Sequence, residues 1–124
     1  FDILDARIIN FSLSIDIVAH PDSNKSQVAQ TVITNLSKLL MTKNMQIDQP
    51  IVMADIMNTI LNTKGVISLI DQKVSAITGA IEERVYSDVS FNVEANTIQN
   101  MIVGPPGSIF ELRYPAKDIY VTVR

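Results

Sequence analysis

His20 is the one histidine in the sequence, and there is no cysteine. A histidine titrates near neutral pH and can act as a general base or metal ligand, but catalysis needs a nucleophile and an orienting group around it. Its neighbours Ala19, Pro21 and Asp22 describe a turn between two elements, so His20 reads as a loop residue. Asp2 with Asp5, and Glu82 with Glu83, are the paired carboxylates. Metal and glycosidase chemistry needs carboxylates that converge from separate elements, whereas neighbours in sequence describe a solvated charged face. Gly65, Gly79, Gly104 and Gly107 fall into neither a dinucleotide fingerprint nor a phosphate loop. Asn24 and Asn35 open Asn-x-Ser triplets, but Asn35 lies within a helical pattern that leaves a glycan little room. The sequence therefore offers no catalytic residue, no metal ligand set and no cofactor site, and the expectation is a protein that is not an enzyme.

Binding surfaces are the remaining chemistry. Met41, Met45, Met53 and Met57 cluster around one predicted helix, where a flexible thioether suits an irregular core better than a contact surface. The run Ser108 to Pro115 mixes aromatic, charged and β-branched residues on a predicted edge strand, and an exposed edge pairs with other chains. Phe110, Leu112, Tyr114 and Tyr120 are the candidate interface residues, because aromatic and large apolar anchors dominate interface energetics. The same side chains would also serve as ordinary core.

These residues must be carried by periodic elements. Ile9, Phe11, Leu13, Ile15 and Ile17 alternate with Asn10, Ser12, Ser14 and Asp16, the period of a half-buried strand. Pro21 ends that run, and Asp22 or Ser23 is placed to cap a helix. Val28, Ala29, Val32, Ile33, Leu36, Leu39 and Leu40 then recur at helical spacing over about five turns. Asp48-Gln49-Pro50 predicts the start of a second helix, through Val52, Ile56 and Ile60, that ends near Gly65. Val66 to Ile70 reads as a short buried strand ending at Asp71. The expected fold is α+β: a β-α-α-β unit over residues 1–70, with two helices covering a sheet, followed by a β-rich extension over 71–124 within the same single domain. In that extension, 85–93, 98–103, 109–113 and 119–123 read as strands, with Gly104-Pro105-Pro106-Gly107 as a rigid turn.

The totals bound the function classes. A length of 124 residues suits one core, and 47% hydrophobic with 19% charged residues describes an ordered chain. A net charge of −3 without a basic cluster offers no footprint for phosphate backbones. No apolar stretch approaches the roughly 20 residues of a membrane helix, so neither nucleic acid nor membrane insertion is expected. The absence of cysteine fits a reducing compartment. The opening Phe1 leads directly into a strand-like run, from which the chain is expected to be a piece of a longer polypeptide.

Two stretches resemble a known family. The long strand Ile9 to Ala19, a helix, a second helix and Lys64-Gly65-Val66 are similar to the C-terminal region of baseplate J-like proteins. The run Pro106 to Ile119, PGSIFELRYPAKDI, resembles the tail of the wedge proteins of T-even phage baseplates. The resemblance implies a virion structural protein of a contractile-tail baseplate, assembled in the host cytoplasm. Such a subunit dimerises, contacts other wedge proteins and links wedges into a ring around the hub. Residues 71–105 match that pattern least. Two rivals carry different expectations: a small-ligand or RNA-binding α+β module, which would need a basic groove or phosphate loop, and an accessory domain of a larger enzyme.

Overall fold

The alternation from Ile9 to Ile17 forms a thirteen-residue strand, β1 (Arg7–Ala19), in the computed structural model, which describes residues 7–41 and 45–124. In chain order there follow α1 (Lys25–Leu39), β2 (Ile51–Val52), α2 (Met53–Leu61), β3 (Val66–Ile77), β4 (Ala80–Ile81), β5 (Arg84–Val85), β6 (Thr97–Ile98), β7 (Met101–Ile102), β8 (Ser108–Glu111), α3 (Pro115–Asp118) and β9 (Ile119–Val123). The architecture is mixed α+β. The carboxylates Asp2 and Asp5 lie outside the described residues.

β1 organises the main sheet. It pairs antiparallel with β3 on one side, and on the other runs parallel first to β8 and then to β9. Its odd-numbered residues from Ile9 to Ala19 are all buried, and they form one apolar face because successive strand residues point to opposite sides. α1 and α2 cover that face, α1 against β9 and α2, and α2 against β3. α1 contributes Val28, Val32 and Leu36 and α2 contributes Ile56 and Ile60, spacings that put each set on one side of its helix. The same core takes in Val74, Ile102, Phe110, Leu112 and Ile119 from the second half of the chain.

The helix starts differ from the sequence expectation. α1 is capped by Asn24, whose side chain accepts from the Gln27 amide, rather than by Asp22 or Ser23. Ser23 instead donates to the His20 carbonyl. With fifteen residues α1 has about four turns. α2 begins at Met53, not Pro50, because Ile51 and Val52 are drawn into a strand against β7.

The strands of the second half also differ. β3 runs on to Ile77, well past Asp71, because Lys73, Val74 and Ser75 keep pairing with Ser14, Leu13 and Ser12. Residues 85–93 do not form one strand: Arg84 and Val85 close a tight hairpin with Ala80 and Ile81. The 98–103 run is a hairpin, β6 with β7, turned by Gln99 and Asn100 at φ 50° and 64°. Positive φ at both turn positions matches the right-handed strand twist.

Candidate interaction surface

β8 carries Ser108 and Phe110 on its buried side, and Phe110 lies opposite Ile9 of β1. Phe110 is 2% exposed and stacks edge-on with Phe11 and Phe91, while Leu112 is 3% exposed. These two candidate anchors are therefore core residues, and they stabilise the chain instead of presenting a surface. Burial of each contributes about 1.5–3 kcal/mol. β9 behaves the same way: Ile119, Val121 and Val123 face the core opposite Leu13, Ile15 and Ile17, which turns Tyr120 outward, 51% exposed. Tyr114 is half-buried; its hydroxyl accepts from the Val85 amide and donates to the Val85 carbonyl.

The outer side of the sheet carries Asn10, Ser12, Ser14 and Asp16 along the middle of β1, and one end of it is closed by the β4–β5 hairpin and the residues after it. Asp118 at the end of α3 is fully buried. Arg84 Nη1 donates to its Oδ1 at 2.8 Å, and the Tyr86 hydroxyl lies 2.8 Å from each carboxylate oxygen. Burial first, and then the hydrogen bond to Asp118, push the Tyr86 phenol up to about 12. The Tyr86 ring stands edge-on to Tyr114 at 5.4 Å. Next to this clasp, the fully buried Asn10 donates to the Glu111 carboxylate at 2.8 Å and to its carbonyl, and accepts from the Ser87 amide at 2.7 Å. A buried charge is tolerated only when paired and hydrogen-bonded, and the arrangement meets that condition with no group left over. It fastens the segment from Arg84 to Ser87 to α3 and to β1.

Besides Ile8, Tyr120 and the α2 residues Met57 and Leu61, exposed apolar side chains lie along β3 and at turns. Ile67 and Ile70 are the extra residues of two irregularities in the β1–β3 register, and they are 54% and 51% exposed. Ile81 and Val85 are exposed on the hairpin, and Ile98 at another turn. An open groove of about 720 Å³ runs beside Gln72–Ala76 and is bounded opposite by Ser90–Glu94. Five successive β3 residues line it, so it follows the strand's margin and not one face, since a face would contribute alternate residues. Gln72 Oε1 in this wall is a buried side-chain oxygen without a hydrogen-bond partner.

A second hollow, about 800 Å³, lies between the start of α1 and the turn before β3 and includes His20, Asp22, Lys64 and Val66. His20 is exposed there, and its Nδ1 accepts from the Asp22 amide, a turn role. Glu82 and Glu83 occupy the β4–β5 turn and are exposed. Of the methionines, Met45 is buried, Met53 half-buried, and Met41 and Met57 exposed. Among the described residues no group of three or more His, Cys, Asp or Glu side chains converges on a metal-sized site, and no helix is long and apolar enough to cross a membrane.

No protein-family model matches the sequence, and no curated protein matches it.

Proposed function

We propose that the chain is a structural assembly domain of a contractile-tail phage baseplate wedge, acting by burying surface against further copies of itself and against neighbouring wedge proteins. The observation that carries the assembly role is β3, a twelve-residue strand at the margin of the main sheet with Ile67 and Ile70 in the open. Unpaired edges and exposed apolar residues mark association sites. The baseplate assignment rests on the resemblance of Pro106 to Ile119 and of the β1 to Val66 pattern. In this reading the β-α-α-β unit is the scaffold, the function is mechanical and not enzymatic, and the finished protein resides in the virion tail after assembly in the host cytoplasm.

Antibodies raised against the chain test the assignment. On contractile-tail particles viewed by electron microscopy they are expected to label the baseplate; label confined to other structures would remove the baseplate reading. Light scattering over a wide concentration range tests self-association, with a dimer that survives dilution as the expected result and a strict monomer as the contrary one.

A further inference from the structure

β3 ends the main sheet on one side, and its outward backbone has no strand partner among the described residues. A free edge of this length is a template for another strand. Two features of β3 select which strand.

The first is charge. Asp71 and Lys73 lie opposite Asp16 and Ser14 of β1, and so share the outer face of the sheet. Like charges placed opposite each other are unfavourable, and Asp16 is relieved by Arg124, whose Nε and Nη2 reach its two oxygens at 2.9 and 3.1 Å. The bridge screens Asp71 from Asp16 but gives Asp71 no cation of its own. Neither Asp71 nor Lys73 forms an ion pair among the described residues. The second is the residue between them: Gln72 holds the unpartnered Oε1 and sits in the wall of the groove along the margin.

When two identical strands pair antiparallel about a two-fold axis through Gln72, Asp71 of each copy falls opposite Lys73 of the other. Both unpaired charges are then matched twice, and Gln72, whose Nε2 donates to the Met53 carbonyl at 3.5 Å, lies opposite its own equivalent. We propose that a second copy of this chain docks along the β3 margin by antiparallel β3–β3 pairing centred on Gln72. The inference rests on the self-associating reading above and gives it a surface and a register. An isologous contact must be self-complementary, and an acid and a base two residues apart on one face meet that requirement. Lysine and irregular register also serve to blunt edges, but a lysine repels an approaching strand only where no acid meets it. The irregularity at Ile70 bends the strand just beyond the Asp71 rung, so the pairing is short and leaves Ile67 and Ile70 at its flanks.

Charge reversal tests the register. At low salt, Asp71→Lys and Lys73→Asp each turn both cross-strand contacts into like-charge pairs, and each is expected to weaken the dimer at least about tenfold. The double variant Asp71→Lys/Lys73→Asp restores the wild-type dissociation constant, and an equimolar mixture of the two single variants forms a heterodimer. All four are read by light scattering, with circular dichroism confirming the fold. A wild-type dimer that ignores both reversals overturns the β3 register while leaving self-association intact. A wild-type chain that stays monomeric overturns self-association and the register with it.

Discussion

The Tyr86 hydroxyl stands 2.8 Å from both carboxylate oxygens of Asp118, a residue with no solvent exposure. One phenolic proton thus serves a carboxylate that Arg84 also holds, and the pair fastens the β4–β5 segment to the end of α3. Tyr86→Phe keeps the ring packing against Tyr114 and removes only the donor. The expected cost is about 1–3 kcal/mol, read as a lower urea midpoint at unchanged slope.

Alkali should act through the same hydroxyl. The Tyr86 phenol is held at about 12 in the folded chain against an ordinary value of 10. Its contribution is therefore fully present below pH 10 and lost as pH climbs from 10 through 12, because the unfolded chain gives up the proton first. Denaturation midpoints measured across that window should fall, and the fall should be smaller in Tyr86→Phe. An identical slope in both proteins would place the alkaline sensitivity elsewhere.

Asn10 gives a pH effect of the opposite origin. Asn10→Asp keeps an acceptor for the Ser87 amide but sets a second carboxylate against Glu111, which Asn10 Nδ2 now contacts at 2.8 Å. The variant should be close to wild type in acid and lose stability as pH rises past the ordinary carboxylate range, about 4. Asn10→Leu instead leaves the Ser87 amide without its acceptor at every pH, at about 1–3 kcal/mol.

Two glycines separate backbone strain from steric clash. Gly65 and Gly79 both hold positive φ, 94° and 78°, but a Cβ on Gly65 would meet Val28 Cγ2 at 2.8 Å, while one on Gly79 meets nothing within 4 Å. Gly79→Ala should cost about 1–2 kcal/mol for the left-handed backbone alone, and Gly65→Ala should exceed it by about 1 kcal/mol or more. Equal thermal shifts would mean that α1 yields freely at Val28.

The parts of the fold that could be read from sequence are those where one period runs unbroken. β1 is legible because every odd residue from Ile9 to Ile17 is apolar, and α1 because Val28, Val32 and Leu36 keep helical spacing. β3 is not, because Ile67 and Ile70 interrupt the alternation and Asp71-Gln72-Lys73 imitates a strand end. The β4–β5 and β6–β7 hairpins turn on Glu82 and on Gln99-Asn100, which lack the glycine that normally marks positive φ. Of the interface candidates, Phe110 and Leu112 went inward because β8 lies parallel to β1 in a register that matches Phe110 to Ile9, and strand order is not written in composition. Nothing local marks Asp118 as buried: its partners Arg84 and Tyr86 stand more than thirty positions away.

β9 joins the sheet beside β1 rather than beside β8, and Arg124 grips Asp16 across 108 positions of sequence. The long apolar face of β1 therefore leaves the ribosome well before the strand that finishes its flank. Until residues 119–123 have been made, Leu13, Ile15 and Ile17 lack their neighbours on that side. Pairing at such separation makes for slow folding and a synthesis interval in which a sticky strand waits uncovered. The newly made chain thus depends on residues 119–123, made more than a hundred positions after their β1 partners, to become safe from aggregation.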